Sequence, residues 1–206
     1  MTPALVLGTT NPGKVRELLD LLSPHRIGCR SLAEVSGAVE VEEIGSSFAE
    51  NAALKAGQQA VALGAWVLAE DSGLVVPALG GAPGVHSARF SGVDDAAGRE
   101  VLDARNNALL LERLAGVGDR GAHYACHAAL ADPGGRIVAE AAGECRGVIA
   151  RAPVGGGGFG YDPLFVVPEY HRTFGELPPV VKAVISHRSR ALRAILPALV
   201  RLLAAA

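Results

Sequence analysis

The chain has 206 residues, half of them hydrophobic, a formal net charge of -2 and only 4% aromatic residues. Such a composition can bury a sizeable core over residues 1–206, in one large domain or in two lobes sharing a sheet, and excludes disorder as the main state. Near-neutral charge and few rings exclude a nucleic-acid-coating surface, which needs a basic stripe or stacking platforms.

With no basic leader and no run of 18 uncharged apolar residues, the expectation is a soluble, cytoplasmic protein with no membrane partner and a small ligand. Cys29, Cys126 and Cys145 are odd in number and lack CxxC spacing, so they read as reduced thiols with no assigned function. Of the 19 basic residues, 16 are arginine and three are lysine: Lys14, Lys55 and Lys182. Arginine replaces lysine freely on a solvated surface but not where a compact ammonium is needed, so these lysines are candidates for a site. Asn11, Asn51, Asn106 and Asn107, the only asparagines, are candidates on the same ground.

In chain order, Ala4–Leu7 predicts a short buried strand, then the loop Gly8-Thr9-Thr10-Asn11-Pro12-Gly13-Lys14, then a helix over Val15–Leu22. Strand, glycine-containing loop and helix N-terminus make an anion site from free N–H groups and the positive end of the helix dipole. The spacing fits GxxxxGK, but Val15 stands where a P-loop needs a hydroxyl for Mg²⁺. A capped helix start is the other reading of this segment. Ile27–Ser31 predicts a second strand, followed by the acidic stretch with Glu40, Glu42 and Glu43, either a solvated loop or a group approaching Asp71. Ser47-Phe48-Ala49-Glu50 fits a capping box opening a helix with Phe48, Ala52, Ala56 and Ala60 on one face, closed by Gly64. Lys55 lies four residues after Asn51 and shares its face.

The apolar run Trp66–Ala69 leads into Glu70-Asp71-Ser72-Gly73. A strand ending here puts Asp71 outside the carboxyl end of a sheet, where ligands bind; a plain turn is the alternative. A Gly/Pro-rich loop, Gly80–Gly84, precedes a helix from about Ala96 to Leu114, with Asp94 or Asp95 as N-cap and Asn106 and Asn107 tying it to a neighbouring loop. Alternation at Tyr124, Cys126, Ala128 and Leu130, a turn at Asp132–Gly135 and a return over Arg136–Val148 predict a long scaffold hairpin. Gly155–Pro163 holds five glycines in nine residues with two rings embedded, a backbone able to lie against a flat ligand such as a purine. After Pro178-Pro179 and Val180–Val184, Ser186-His187-Arg188 opens a C-terminal helix containing Pro197. Cations at a helix start oppose the dipole, which a bound anion or base oxygen would resolve.

Six motifs occur in order over nearly the whole chain: Thr9–Lys14, Glu50-Asn51-Ala52, Glu70-Asp71-Ser72-Gly73-Leu74, Gly80-Gly81-Ala82-Pro83-Gly84, Phe159-Gly160-Tyr161-Asp162-Pro163 and Ser186-His187-Arg188. Together they resemble the inosine triphosphate pyrophosphatase family, also called dITP/XTP pyrophosphatases. The resemblance implies an α/β fold with an elongated mixed central sheet flanked by helices and a cleft between two lobes, and usually a homodimer. It implies Mg²⁺-dependent hydrolysis of non-standard purine nucleoside triphosphates to monophosphate and pyrophosphate.

Carried over by position, the resemblance makes Asp71 the catalytic carboxylate and a metal ligand, with Glu42, or its neighbour Glu43, as the other acidic ligand. The phosphate loop falls on Thr9, Thr10, Asn11, Pro12, Gly13 and Lys14. Lys55, Ser72, Phe159, Gly160, Tyr161, Asp162, Lys182, His187 and Arg188 become substrate contacts. Thr10 replaces a common glycine, Glu70 a common aspartate, and Pro178–Val181 an acidic lead-in to Lys182. On this reading lysines and metal balance the triphosphate, Asp71 deprotonates the attacking water, and donors such as His187 and Arg188 select a 6-oxo base. A Maf-type enzyme of modified pyrimidine nucleotides and a non-hydrolysing nucleotide sensor are the competing readings.

Overall fold

The computed structural model describes residues 5–92 and 98–204. Its strands are β1 (Leu5–Leu7), β2 (Cys29–Ser31), β3 (Val67–Val75), β4 (Gly121–Ala131), β5 (Ile137–Ile149), β6 (Phe165–Val167) and β7 (Arg172–Thr173). Its α-helices are α1 (Pro12–Leu22), α2 (Phe48–Leu63), α3 (Arg99–Arg113), α4 (Pro179–Ile185) and α5 (His187–Ala204). The strands are ordered β2-β1-β3-β4-β5-β6-β7. As expected, the sheet is mixed: β1 runs parallel to β2 and β3, whereas β6 is antiparallel to β5 and β7. The chain divides into two compact units, one formed by the residues up to Asp71, Cys126–Gly143 and the chain from His187, the other by Ser72–Ala125 and Glu144–Ser186.

In the first unit β1 is covered on both faces, so it reads as an unbroken apolar run rather than an alternating one. Leu5, Leu7 and Leu68 share a core with Leu18, Leu22, Ile195 and Leu199 of α1 and α5. Val6, Val67 and Ala69 pack instead with Ala52, Ala56 and Ala60 of α2. Helix α1 starts at Pro12, three residues earlier than the apolar pattern indicates, because Asn11 caps it and proline's fixed φ suits the first helical position. Strand β1 lies between β2 and β3, and its carboxyl end, where Gly8–Asn11 leaves, is a switch point of the parallel strands, the usual ligand position of such sheets. Gly8 permits the close approach there: a Cβ on it would stand 2.8 Å from that of Ala69.

Helix α2 keeps its expected limits, with Ser47 accepting from the Glu50 amide and Gly64 in the left-handed region. The Glu50 carboxylate accepts from Ser46 N and Oγ, one residue before the N-cap, with a weaker contribution from the Ser47 amide. At β3 the expected strand end is absent. The strand runs through Glu70, Asp71, Ser72 and Gly73 to Val75. Residues 67–71 are all buried, and the pairing of so enclosed a strand overrides the turn tendency of Asp-Ser-Gly. Helix α5 continues past Pro197 to Ala204, with Arg188, Leu192, Ile195, Leu199 and Leu203 on its buried stripe.

The second unit is organised around the rings of Tyr124, Phe165 and Phe174, with centroids 4.7 to 6.0 Å apart, enclosed by Leu74, Leu110, Leu114 and Ile149. The expected N-cap of α3, Asp94 or Asp95, lies outside the described residues. Pro178-Pro179 opens α4 rather than interrupting the chain, with proline in its first turn. Among the described residues no helix is long and apolar enough to cross a membrane.

Arg120 is buried and donates from Nε, Nη1 and Nη2 to the carbonyls of Ile149, Leu114 and Ala150 at 2.8 to 2.9 Å. One guanidinium thus holds the end of α3 to the end of β5. Arg120→Ala takes this donor from the Ile149 and Ala150 carbonyls and leaves Leu114 O with the Val117 amide, and it is expected to destabilise the protein by about 3 kcal/mol. Urea unfolding at neutral pH checks this, and an unchanged midpoint would refute the role.

Candidate functional site

Successive side chains of a strand leave it on opposite faces, so the neighbours Glu70 and Asp71 look to opposite sides of β3. Each is buried, at 2% and 5% exposure, and each carries its own set of cations and hydrogen-bond donors.

On the Glu70 side, Lys14 Nζ lies 2.8 Å from Oε1 and Arg188 Nε 3.5 Å from the same oxygen, an ion-pair rather than a hydrogen-bond distance. Arg188 also pairs through Nη1 with Glu17 of α1, and the Cys126 thiol of β4 donates to Glu70 Oε2 at 3.4 Å. Burial by itself would raise the Glu70 carboxyl, but Arg188, Lys14 and Lys55 outweigh it and hold it well below its ordinary 4.5. Burial and the Glu70 charge push the Cys126 thiol well above 9.0, so it is a donor here and not a nucleophile.

On the Asp71 side, Lys55 Nζ donates to Oδ1 at 2.9 Å and Asn51 Nδ2 to Oδ2 at 3.3 Å. The four-residue spacing on α2 delivers both, as expected. Lys55 also reaches Glu43 Oε1 at 2.9 Å. Burial pulls the Lys55 ammonium down, yet Asp71, Glu70 and Glu43 more than offset it, and its pKa stands above 10.5. Asn51 is oriented by the Gly45 amide, which donates to its Oδ1 at 2.8 Å; a Cβ on Gly45 would intrude on that oxygen at 2.6 Å.

Glu42, the position aligned to the second acidic ligand, is exposed. Exposure alternates from Glu40 to Ser46, so side chains one residue apart face different ways, and it is Glu43 that shares Lys55 with Asp71.

The expected loop Thr9–Lys14 is in part helix: Pro12, Gly13 and Lys14 form the first turn of α1. The amides of Thr9, Asn11, Gly13 and Lys14 are engaged within the chain. Asn11 Oδ1 accepts from Gly13 N at 2.9 Å and Lys14 N at 3.3 Å, Thr9 Oγ1 accepts from Asn11 N, and Pro12 has no N–H. Thr10 is exposed. The structure shows the second reading of this segment, a capped helix start, with its lysine turned inward to a carboxylate.

His187 and Arg188 are 4% and 2% exposed at the start of α5. A bound anion is not needed to settle the guanidinium, because Glu17 and Glu70 do so. Gly143 lets α5 sit directly on β5, since a Cβ there would strike the His187 carbonyl and the Ala191 amide.

In the second unit, Phe159–Asp162 is a turn in which Asp162 N donates to Phe159 O at 3.3 Å. Asp162 Oδ2 accepts from Phe159 N at 2.9 Å and from Lys182 Nζ at 2.6 Å, and the Lys182 ammonium lies 4.6 Å from the Phe159 ring centroid. The close approach needs Gly158, where a Cβ would collide with the Asp162 carboxylate. Tyr161 donates from its hydroxyl to Ser87 O, and Tyr124 from its hydroxyl to Asp162 Oδ1. Ser72 is half-buried on β3. Sequence reasoning gave no part to Glu17, Cys126, Asp103 or Tyr124, and noted Glu70 only as a departure; the available signals were Glu17 one turn after Lys14 and the alternation that puts Tyr124 and Cys126 on one face of β4.

A cavity of about 970 Å³ lies along α2 beside the Gly134-Gly135 turn, lined by Ala53, Leu54, Gly57 and Val61 among others. Neither Asp71 nor any lysine lines it, so it is not where the charges converge.

A model of the Ham1 family matches residues 5–198. The dITP/XTP pyrophosphatase of Rhodopirellula baltica is 52% identical over 200 residues, covering 96% of this chain and 93% of that protein. That of Desulforamulus reducens is 51% identical, covering 96% of each. Among solved structures, a HAM1 protein from Coxiella burnetii superposes with a TM-score of 0.85 at 38% identity, covering 97% of this chain and 99% of that one. The Staphylococcus aureus Ham1 protein gives 0.81 at 35% identity, covering 95% and 97%.

Because the Glu70 carboxyl is held below 4.5, the unfolded chain takes up a proton before the folded one as pH falls. Its contribution is whole above about pH 5 and is lost as pH drops through the folded value. Urea stability of the wild type is expected to fall more steeply between about pH 5 and 3 than that of Glu70→Gln; parallel slopes would refute the assignment. At neutral pH the variant is expected to lose about 3 kcal/mol, since Lys14 is left without its carboxylate.

Proposed function

The chain belongs to the Ham1 family, and on that premise we propose that it is a cytoplasmic, Mg²⁺-dependent nucleoside triphosphate pyrophosphatase. It cleaves the α–β phosphoanhydride of dITP, ITP and XTP, giving monophosphate and pyrophosphate and removing these nucleotides from the pool. The names of relatives at about half identity support the activity. The observation that carries the reading is Asp71, buried on β3, with one oxygen on Lys55, the other on Asn51, and a second carboxylate, Glu43, on the same lysine.

In the mechanism, water attacks the α-phosphorus, its proton passes to Asp71, and the bond to the bridging oxygen breaks so that pyrophosphate departs with the electron pair. Lys55 and Asn51 fix the Asp71 carboxylate, so its remaining lone pairs point at the water without reorganisation; such base assistance contributes about 10²- to 10⁴-fold. The buried Lys55 ammonium stays protonated at neutral pH.

Lys14, Lys55 and Arg188 are each engaged with carboxylates of the chain, among Glu17, Glu43, Glu70 and Asp71, so these cations alone do not balance a triphosphate. The donor set fits Mg²⁺, which takes one or two carboxylates and completes its shell with substrate phosphates and water. Asp71 and Glu43, rather than Glu42, would hold it, and among the described residues no cluster of three or more ligating side chains exists to bind it unaided. When bound it would supply the positive charge that stabilises the departing pyrophosphate.

Base selection is assigned to the second unit. The Phe159 ring and the peptide groups of Gly160 and Tyr161 would meet the purine, with Lys182 and Ser72 as further contacts. Donors facing O6 favour hypoxanthine and xanthine over adenine, whose amino group leaves each of them unpaired at about 1 to 3 kcal/mol. Arg188 is engaged with Glu17 and Glu70, so Arg188→Ala is expected to lower the melting temperature whatever it does to substrate binding. The homodimer that the family resemblance implies is part of the proposal and is checked by light scattering.

The test is chromatographic product analysis with Mg²⁺ on dITP, ITP, XTP, dGTP, dATP and a pyrimidine triphosphate. The expected result is monophosphate plus pyrophosphate from the 6-oxo, non-guanine purines. Diphosphate plus phosphate would move the attack to the γ-phosphorus, preferred pyrimidine turnover would favour the Maf-type reading, and binding without turnover the sensor. Asp71→Asn is expected to lose about 10²- to 10⁴-fold in kcat while still folding, because Lys55 keeps Glu43; full activity would exclude Asp71 as the base.

A further inference from the structure

Helix α3 carries Asp103 and Asn107 four residues apart, hence on one face, and both grip a single peptide position in the Phe159–Asp162 turn. The Gly160 amide donates to Asp103 Oδ2 at 2.7 Å, and Asn107 Nδ2 donates to the Gly160 carbonyl at 3.0 Å. Gly160 sits at φ +62, in the left-handed region, so it cannot be held by the regular ladder of a helix or strand. Its donor and acceptor need side-chain partners or water, and these two residues satisfy both.

Asp103 is half-buried and Asn107 is buried. Burial raises the Asp103 carboxyl above its ordinary value, although the Gly160 amide and Arg99 work the other way. A carboxylate kept at some cost in solvation and aimed at one backbone amide is a strong acceptor. The rest of the turn is fixed by its own members and by the unit's core: Phe159 N and Lys182 on Asp162, and Tyr161 on Ser87. Gly160 is the position where the turn depends on α3.

We propose that Asp103 and Asn107 are positioning residues for base recognition, a clamp that sets the orientation of the Gly160 peptide and with it the Phe159 ring. They touch no substrate atom. The inference rests on the reading that Phe159–Asp162 meets the purine. The clamp sets how the base is gripped, not how the phosphoanhydride is cleaved, so its loss moves KM and leaves kcat.

The experiment is steady-state kinetics on dITP with Asp103→Ala, Asp103→Asn and Phe159→Ala, with melting temperatures measured alongside. Asp103→Ala is expected to raise KM about tenfold with kcat within about twofold, the size expected for losing one charge-assisted hydrogen bond. Asp103→Asn keeps an acceptor for the Gly160 amide and is expected to restore KM to within about threefold of wild type. An Asp103→Ala variant with unchanged KM, or with kcat and melting temperature falling while KM holds, overturns the clamp. Failure of Asp103→Asn to rescue does so as well. Phe159→Ala separates the two levels: an unchanged KM there removes the turn from base recognition, whereas a raised KM there beside an unchanged one in Asp103→Ala removes the clamp alone.

Discussion

Two adjacent carboxylates buried in one strand form the constraint on which the first unit depends. Glu70 and Asp71 leave β3 on opposite faces, so each needs its own direct partners, and an unpaired buried carboxylate is costly. The protein answers with two separate clusters. Lys14 from α1 and Arg188 from α5 reach Glu70, while Lys55 and Asn51 from α2 reach Asp71. Three helices of the unit are therefore tied to two consecutive residues. Their positions follow from the electrostatics of β3 as much as from the apolar packing of Leu18, Ile195 and Ala56.

The two clusters differ in what they leave available. Around Glu70 the groups are mutually engaged: a lysine, an arginine, a thiol and a second carboxylate form a network that ties α1 and α5 to the sheet. Around Asp71 the network is smaller, with Lys55 shared between Asp71 and the more exposed Glu43. A carboxylate oriented by an ammonium and an amide but retaining free lone pairs suits proton acceptance and a hard cation, which is why the proposed chemistry falls on Asp71 rather than on its neighbour.

The second unit follows another principle. Its fixed points are backbone groups held by side chains: three carbonyls by Arg120, and the Gly160 peptide by Asp103 and Asn107. Segments without regular hydrogen-bond ladders have to satisfy their polar groups in this way when buried. A glycine-rich segment that would otherwise sample many conformations becomes a defined turn.

Much of this was legible in the chain. Buried parallel strands are apolar throughout, so Leu5–Leu7 and Val67–Ala69 stood out, and Ser47 and Gly64 marked both ends of α2 because capping is local chemistry. The scarcity of lysine pointed to Lys14, Lys55 and Lys182, and each is ion-paired to a carboxylate. Local signals misled where long-range pairing prevailed: Asp71-Ser72-Gly73 carries turn residues, yet β3 continues through them because neighbouring strands and helices enclose it. Which of Glu42 and Glu43 faces Lys55, that Glu17 and Glu70 share Arg188, and that Asp103 holds Gly160 were decided only in three dimensions. Residue type and spacing determine helix caps, strand character and which side chains share a face; partners separated by tens of residues are chosen by the packing that brings their elements together.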